Sequence, residues 1–517
     1  MIRRKATETK TLTPNFASGN VDVTPTFNKT MTKVTIQKDS DLIAGNVKKD
    51  VEIHGITGSY DASTDGKYLV RFIYFAVESG AFVEKVVDQY VSAGESATAP
   101  TIASTLDAVS KNSCSLEFVE WNNTNISNVQ TNMIIGATYT NTQESGIRKT
   151  HAFVTVTSGT GLTLPIWFNK SDGSTLTIAW GDGSANYTST ATGNVNTTHT
   201  YSTAGTYDLT MWISSGTGTY GFGNGSTTTS FIGGTTSSAY RYCLKNLFIG
   251  DNVTTLGTTA LYHQHSLYTI SIPKNITSVG ESAMYACYNL RNLIIPNSVT
   301  TFGTSSNREC WSLVNVSFST SVTTIGNSQF LNCRALNFIH LTSAVTTLNE
   351  SAFSQCYSLR SINIPSSVTT FGQFVAKNSH NISNVILESG LTSIGNSTFS
   401  GITNLLRITI PTSVTTTGIY TFEYASLLYI NIPSSVTAIN TGAFQYCTRL
   451  RYVTINRWTS PSTITTLGTD VFSNTNSSFR IYVPVGSLNV YRGATNWSNY
   501  YSQIYEDTPE NRALFGD

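Results

Sequence analysis

The chain has 517 residues, of which 12% are charged, and a formal net charge of +1. This length exceeds what one hydrophobic core supports, so several domains or a repeat array are expected. The near-neutral charge, without a stripe of Lys and Arg, argues against a nucleic-acid partner and a basic membrane anchor, and no window has the length of a membrane span. The polar residues are mostly Thr, Ser, Asn and Gly, which favours an all-β dominated, multidomain protein.

Residues 1–64 form the first segment. It opens with MIRRKATETKTLTPNF, which has positive charges but lacks the apolar run of a secretory signal peptide. The later stretch GNVKKDVEIHGITGSYDA contains a brief apolar strand that is too small to fold alone. Its apolar positions are Val47, Val51, Ile53 and Ile56.

This stretch, together with KTLTPNF, resembles a short motif of bacteriophage tail and baseplate proteins, although Asp50 stands where the motif usually has Gly. The resemblance implies a virion-attachment segment, in which those four apolar residues bind other tail or baseplate proteins. It also implies a homo-oligomer, for which a trimer is plausible because tail appendages follow threefold or sixfold symmetry.

Residues 65–145 contain the stretches LVRFIYF, YVSAGESATAP, LEFVEWNN and MIIGATY in that order. This order resembles the internalin B-repeat module. The resemblance implies a small β-grasp-like spacer, with Trp121 in its core rather than at a ligand site.

Residues 146–215 contain TLTIAWGDGS and HTYSTAGTYDLT, which resemble a PKD-type, Ig-like β-sandwich. The resemblance implies that Trp180 is a core aromatic and that Asp182 and Gly183 form a hairpin turn. It also makes the pairing of a carboxylate with His199 structural rather than catalytic. Residues 216–243 are rich in Gly, Thr and Ser, and we interpret them as a linker or as the N-terminal cap of a solenoid.

A repeat begins at residue 244 and continues to residue 480. Its marker is the apolar residue that opens a phrase such as VTTFG, and the spacing is 23 residues over eight units, followed by 22 and 28. The markers are Val253, Ile276, Val299, Val322, Val345, Val368, Leu391, Val414, Val436 and Ile464. A fixed period of this size indicates a solenoid, here of ten coils with a parallel sheet.

Each unit predicts one short strand before the marker. Ile270 and Ile272 alternate as the inward residues of a strand, and Pro273 ends it because proline cannot donate to the ladder. A glycine such as Gly280 then allows a tight turn. Four cysteines share the same 23-residue spacing, and we interpret them as a buried thiol ladder rather than as metal ligands or a disulfide framework. They are Cys287, Cys310, Cys333 and Cys356.

The stretches AFSQCYSLRSINIPSSVTTFG and AFQYCTRLRYVTINR resemble the BspA-type leucine-rich repeat, the short-period class found on bacterial surface proteins. Residues 481–517 resemble the segment that closes such arrays, and would cap the apolar edge of the last coil. The whole order, an attachment segment, two spacers and a distal solenoid, suits an adhesive appendage.

Our leading interpretation is a phage tail or baseplate appendage, located in the virion and assembled in the host cytoplasm. It would adhere to a glycan or protein of the host surface through the repeats. The alternatives are a structural baseplate or decoration protein and a bacterial BspA-like surface adhesin. A glycan depolymerase is a weaker alternative, because no two carboxylates of the repeats share a coil closely enough to form an acid and base pair. We therefore expect no enzymatic activity, no cofactor and no metal.

The outward positions of the repeat strands form the natural binding surface, because the same strand position recurs once per coil. Aromatic and Arg side chains dominate recognition energies, so they are the candidates, although any one of them could equally be ordinary strand surface. The predicted binding residues are Phe338, His340, Arg407, Tyr429 and Tyr452.

Overall fold

The computed structural model describes short strands within residues 1–64 and most of the rest of the chain. The ranges described beyond residue 64 are 68–78, 81–102, 105–107, 115–123, 126–127, 133–142, 149–157, 162–223, 230–233, 240–458 and 464–517. The chain divides into two compact units.

The first unit comprises Met1–Val70, Asp88–Thr98 and Ile126–Met133. Strand Glu8–Thr9 pairs in parallel with Met31–Lys33, and strand Glu52–Ile53 pairs antiparallel with Ile56–Thr57. Ile53 therefore lies opposite Ile56. The other two predicted attachment residues, Val47 and Val51, lie outside the described residues.

The second unit comprises Arg71–Val87, Ala99–Asn125 and Ile134–Asp517. A five-stranded sheet lies near the start of the chain, and its third, fourth and fifth strands are antiparallel neighbours. Its strands are Tyr68–Glu78, Ala81–Val91, Thr105–Asp107, Ser115–Trp121 and Met133–Thr142. The ring of Trp121 packs edge-on against Phe72, with 5.3 Å between the ring centroids.

A β-sandwich follows, because its strands alternate apolar and polar residues and so bury one face. In Leu162–Lys170, for example, Leu164, Ile166 and Phe168 are buried. The other sandwich strands are Thr150–Val156, Thr175–Ala179, Tyr187–Ser189, Gly193–Tyr201, Gly205–Ser215 and Tyr220–Phe222. Trp180 is buried as expected, and its carbonyl accepts the hydroxyl hydrogen of Tyr201 at 3.0 Å.

Both sheets of the sandwich continue directly into the solenoid. Thr150–Val156 pairs with Leu244–Phe248, and that strand pairs in parallel with the first regular repeat strand. On the other sheet, Tyr220–Phe222 pairs in parallel with Val253–Leu256. The sandwich thus meets the first coil through both of its sheets, and strand Tyr220–Phe222, which lies within 216–243, takes part in this junction.

The solenoid has about 11 turns, and its strands stack in two parallel columns in the register set by the repeat. The main column consists of Leu244–Phe248, Thr269–Ser271, Asn292–Ile294, Asn315–Ser317, Phe338–Ile339, Ser361–Ile364, Asn384–Leu387, Tyr429–Ile432, Tyr452–Ile455, Arg480–Val483 and Ile504–Glu506. An isolated bridge from Thr409 to Asn431 fills the coil that lacks a strand.

The second column follows each marker residue. Its strands are Val253–Leu256, Ser278–Val279, Thr301–Phe302, Thr324–Ile325, Thr347–Leu348, Thr370–Phe371, Ser393–Ile394, Thr416–Thr417, Ala438–Ile439 and Thr466–Leu467. Between the columns lies one continuous core of stacked aliphatic and aromatic side chains. Because each coil buries its apolar face only against its neighbours, the array is stable as a whole rather than coil by coil.

The thiol ladder is present as predicted. The four in-register cysteines are buried and unoxidised, and each Sγ donates to a backbone carbonyl of the preceding coil; for Cys287 the acceptor is Leu261, at 3.3 Å. Burial raises the pKa of the Cys310 and Cys356 thiols to about 12, so these sulfurs are protonated core atoms rather than ligands or nucleophiles.

Glycine occurs in the repeat for a reason other than the tight turn that we predicted. Gly280 and Gly372 do not adopt the left-handed conformation; instead, a side chain at either would meet the backbone of the preceding coil. A Cβ on Gly280 would lie 2.4 Å from the carbonyl carbon of Gly257. Most left-handed residues of the coils are non-glycine, for example Ser282 and Ala286, although Gly401 and Gly442 are also left-handed. Close coil stacking, not turn geometry, therefore selects glycine here.

The C-terminal cap contains helices Leu488–Gly493 and Pro509–Phe515 and the 3₁₀ helix Trp497–Gln503. Trp497 is fully buried, and its indole nitrogen donates to the Thr465 carbonyl at 2.8 Å. Thr508 caps the second helix by accepting from the backbone nitrogen of Asn511. Within the described ranges, no helix has the length and apolarity needed to cross a membrane.

Candidate binding face

The outward-facing side chains of the main column form the surface that we call the strand face. Each strand presents two of them on either side of a buried aliphatic residue. The first outward column is Thr269, Asn292, Asn315, Phe338, Ser361, Asn384, Arg407, Tyr429 and Tyr452. The second is Ser271, Ile294, Ser317, His340, Asn363, Ile386, Thr409, Asn431 and Thr454.

The N-terminal part of the strand face is covered. We expected its polar side chains to be exposed, and this expectation is wrong: Thr269, Ser271, Asn292, Asn315 and Ser317 are all buried. The cause is a contact made within the second unit by the five-stranded sheet and the turn beside it; for example, Arg71 donates to the side-chain oxygen of Asn315 at 3.0 Å.

Asn122 is the centre of this contact and is fully buried. Its side-chain nitrogen donates to the carbonyls of Ile295 and Ser317, at 3.0 and 3.1 Å. Its side-chain oxygen accepts from the Gly136 backbone nitrogen at 2.8 Å and from the Ser317 hydroxyl at 3.0 Å. One amide thus joins two coils of the solenoid to a strand nearly two hundred residues earlier in the chain.

The same contact contains a close approach and an acidic group. Gly136 lies so near Ile294 that an added Cβ would stand 2.4 Å from a side-chain carbon of that isoleucine. The side-chain nitrogen of Asn292 donates to the Glu84 carboxyl at 2.6 Å. Burial raises the pKa of Glu84 to about 7, although this hydrogen bond and the charge of Arg291 oppose the shift.

Two of the five predicted binding residues lie beside this covered region. His340 is only 8% exposed, contrary to the exposure that we expected, while Phe338 is partly exposed. Phe338 pairs in register with Ser361, three coils before Arg407, which places it roughly 14 Å away along the solenoid at about 4.8 Å per coil. These two residues therefore do not join the other three.

Arg407, Tyr429 and Tyr452 do come together. The rings of Tyr429 and Tyr452 stack with 5.2 Å between their centroids and 7° between their planes. The Arg407 guanidinium lies 5.0 Å from the centroid of the Tyr429 ring. Burial raises the pKa of Tyr452, and the neighbouring Tyr429 raises it further, so the Tyr452 phenol is a neutral donor at pH 7.

The C-terminal tail covers the far end of the strand face. Arg512 donates from Nη2 to the hydroxyl of Thr454 at 2.9 Å, and its guanidinium lies 5.4 Å from the Tyr452 ring centroid. The Asp517 carboxylate accepts from Arg480 at 3.0 Å and from the Tyr482 hydroxyl at 2.8 Å. The tail is thus held over the last strands by paired charges.

Between the two covers lies a stretch that we call the open window. Its members are Ser361, Asn363, Asn384, Ile386, Arg407, Thr409, Tyr429 and Asn431, all at least partly exposed. The surface offers amides, hydroxyls, one guanidinium and one stacked phenol, a set that suits recognition by hydrogen bonding and ring contact. No group of His, Cys, Asp and Glu suited to a metal ion exists among the residues that the structure describes.

A second ring stack, which sequence reasoning missed, lies on the turn side of the solenoid. His265 stacks on Tyr288 with 4.2 Å between centroids, Tyr288 stacks on Trp311 at 3.9 Å, and the Arg334 guanidinium lies 4.4 Å from the Trp311 ring. The 23-residue spacing of these four positions was the available signal. This stack joins four successive coils to one another on the turn side, away from the strand face.

The carboxylate and histidine of the sandwich also pair. His199 Nε2 lies 2.7 Å from Asp182 Oδ2, and its ring stacks on Trp180 with 4.5 Å between centroids. Burial alone would raise the pKa of Asp182, but hydrogen bonds from Ser184 and His199 lower it overall. The ring of His199 is fixed between the indole and the carboxylate, which is a structural arrangement.

The fold defines a β-solenoid repeat protein with a partly exposed strand face. The model of the BspA type leucine rich repeat region matches at residues 235–359, 323–451 and 377–498, together just over half of the chain. The protein therefore belongs to the BspA type of leucine-rich repeat proteins. The matched residues leave 1–234 outside the family model.

The chain is also similar to several solved structures. A leucine-rich repeat protein from Bacteroides ovatus is 22% identical and covers 50% of this chain and 77% of its own, with a TM-score of 0.34. A leucine rich cell surface protein from Faecalibacterium prausnitzii is 23% identical and covers 52% and 84%, with a TM-score of 0.31. The pneumococcal vaccine antigen PcpA is 14% identical and covers 53% and 80%, with a TM-score of 0.29. None of the curated proteins matches the chain.

Proposed function

We propose that this protein is an adhesin of the BspA-like surface class, which attaches to its target through the open window. The observation that carries the proposal is the distribution of covers on the strand face. The five-stranded sheet buries its beginning and the tail buries its end, while the stack of Arg407 on Tyr429 stays accessible. A merely structural face would gain stability from being covered along its whole length.

The residues left accessible are those that bind well. Tyr and Arg are the side chains most enriched among residues that dominate binding energies. Here the ring of Tyr429 is held between Tyr452 and the Arg407 guanidinium, so little side-chain freedom remains to be lost on binding. We propose binding without catalysis for this face.

A second candidate is the phage tail or baseplate appendage, and it shares the same binding face. What favours it is the stretch GNVKKDVEIHGITG within residues 1–64, with its resemblance to a virion motif. The two candidates differ in location. Immunogold labelling against the native protein, on producing cells and on particles released from them, separates them: label on the cell envelope supports the surface adhesin, and label on tails supports the appendage.

The test of adhesion uses fluorescently labelled full-length protein against a panel of bacterial cells. Arg407→Ala combined with Tyr429→Ala should weaken attachment at least about tenfold, because two dominant contacts are lost. The matched control is Tyr424→Ala with Tyr446→Ala, which removes a similarly stacked pair on the turn side, where Tyr424 is exposed, Tyr446 is partly exposed and the ring centroids are 4.5 Å apart.

Attachment that survives the window variant, or that falls equally in the control, would contradict the proposal. Circular dichroism of each variant checks that the β-rich fold is retained. Loss in the window variant alone supports adhesion through this face.

A further inference from the structure

The part of the solenoid that carries the open window has an excess of positive charge. Between residues 357 and 458 the carboxylates are Glu388 and Glu423. The basic residues in the same stretch are Arg360, Lys377, Arg407, Arg449, Arg451 and Arg457. The chain as a whole is nearly neutral, so this excess is local rather than a consequence of composition.

Three of these cations lie along the open window, one after another in the direction of the solenoid axis. Arg360 and Arg451 precede the first outward position of their strands, and Arg407 occupies that position two coils from each. At about 4.8 Å per coil, successive guanidinium-bearing positions are roughly 10 Å apart. All three side chains are exposed.

These guanidinium groups are not neutralised by the protein itself. Within the part of the chain that the structure describes, the side chains of Arg360 and Arg451 have no hydrogen bond or ion pair, and Arg407 only lies over the Tyr429 ring. An Arg stacked on a ring keeps its N–H edge available for a forked contact with a carboxylate or phosphate.

Neither of the two nearby carboxylates is paired with the three guanidinium groups. Glu388 accepts from the Asn363 side chain and from the Ser366 backbone nitrogen, both at 3.0 Å. Glu388 follows the C-terminal end of strand Asn384–Leu387, whereas Arg360 and Arg451 precede the N-terminal ends of their strands. The carboxylate and these two guanidinium groups therefore lie at opposite ends of the strands. Glu423 accepts from the Ser400 hydroxyl at 3.3 Å, away from the main strand column.

The remainder of the window distinguishes among anionic partners. The accessible side chains between the cations are mainly amides and hydroxyls, such as Asn384, Thr409 and Asn431, and the apolar content is limited to Ile386 and the Tyr429 ring. A protein partner needs a desolvated apolar centre in its interface. The amides and the spaced guanidinium groups of the open window suit a polymer of hydroxyl-rich units that carries charges at regular intervals.

We propose that the open window binds an anionic polysaccharide, whose carboxylate or phosphate groups lie against Arg360, Arg407 and Arg451 along the solenoid axis. This proposal rests on the adhesion function proposed above and names its ligand class. The polymer lies along the stack of coils, so that successive coils contact successive units of the ligand.

The test measures binding of the full-length protein to four immobilised polymers of similar length. Polygalacturonate carries carboxylates, poly(ribitol phosphate) carries phosphates, dextran is neutral, and single-stranded DNA reports non-specific polyanion binding. We expect binding to at least one anionic polysaccharide and none to dextran, with affinity falling at least about tenfold between ~0.05 M and ~0.5 M salt, because the ion contacts are screened.

Variants then locate the site. Arg360→Gln combined with Arg451→Gln should reduce affinity about tenfold, whereas Arg334→Gln with Lys377→Gln, which removes the same charge on the turn side, should leave it unchanged. The proposal is overturned by absence of binding to both anionic polysaccharides, by equal binding of dextran, by equal losses in the two variants, or by DNA binding as tight as that of the best polysaccharide.

The same variants applied to cells separate this inference from the adhesion proposal. If attachment requires Arg407 and Tyr429 but is insensitive to salt and to the Arg360 and Arg451 changes, adhesion stands and the anionic ligand is refuted. If a polysaccharide binds at the window but no cell is labelled, the ligand class stands and the adhesion proposal fails.

Discussion

Replacement of Asn122 by Ala tests how the strand face is covered. The side chain is fully buried and makes four hydrogen bonds, two as donor and two as acceptor. Not all partners would be orphaned by its removal. The Ser317 hydroxyl still reaches the Ile134 carbonyl at 2.9 Å, and the Ser317 carbonyl still accepts from the Ile295 backbone nitrogen at 3.1 Å.

The Gly136 backbone nitrogen and the Ile295 carbonyl lose the contact with nothing to replace it. A buried polar group left unpaired costs about 1–3 kcal/mol, so two such groups together cost about 4 kcal/mol. This loss of stability is at the upper end for one substitution, and it would detach the covering sheet before the coils of the solenoid unfold. Protection of the 133–142 amides against hydrogen exchange should therefore fall by about a factor of 10³.

The assay is hydrogen exchange with mass spectrometry, run beside urea unfolding. Asn363→Ala is the matched control, because that side chain makes one hydrogen bond, to Glu388, at a partly exposed position in the open window. We expect it to cost less than about 1 kcal/mol. If strand Met133–Thr142 stays as protected in the Asn122 variant as in the parent, the Asn122 bridge does not hold the cover and the reasoning is refuted.

Two further predictions concern the two covers. Burial raises the pKa of Glu84 from 4.5 to about 7 in the folded state, so the contribution of this group to the free energy of unfolding is fully present below about pH 4.5, and up to about 3 kcal/mol of it is lost as pH rises through 7. The urea midpoints at pH 5 and pH 8 should therefore differ more in the parent than in Glu84→Gln, and equal differences would contradict this. Deleting residues 507–517 should expose Tyr482 to nitration by tetranitromethane while the core stays folded around Trp497, as peptide mass mapping and circular dichroism would show; unchanged nitration would mean that the tail does not cover this ring.

The solenoid could be predicted from the sequence because its contacts repeat. A strict 23-residue period fixes which residues stack, and the structure pairs Phe338 with Ser361 and Tyr429 with Tyr452 as that period requires. The stack of Arg407 on Tyr429 followed from the same register, with the one-residue deletion between those coils. Local periodicity was sufficient because every coil contacts only its neighbours.

The cover could not be predicted in that way. Asn122 reaches the carbonyls of Ile295 and Ser317 across 173 and 195 residues, and nothing periodic connects these positions. Asn, Ser and Thr predominate at the outward strand positions of the covered coils and are also common at those of the open ones. Composition therefore predicted exposure for both, and only the folded chain separates the buried Asn315 from the accessible Asn384.

The difference between covered and open coils also explains the positions of the aromatic and basic residues. In the covered coils the outward positions hold small polar side chains, such as Ser271 and Ser317, that another backbone can approach closely. Arg407 and Tyr429 occupy the same position in coils that none of the described residues covers, where a bulky side chain is tolerated because its outer edge is exposed. A repeat that is uniform in its core thus differs along its outer face, and that difference, rather than the repeat itself, determines where a ligand can bind.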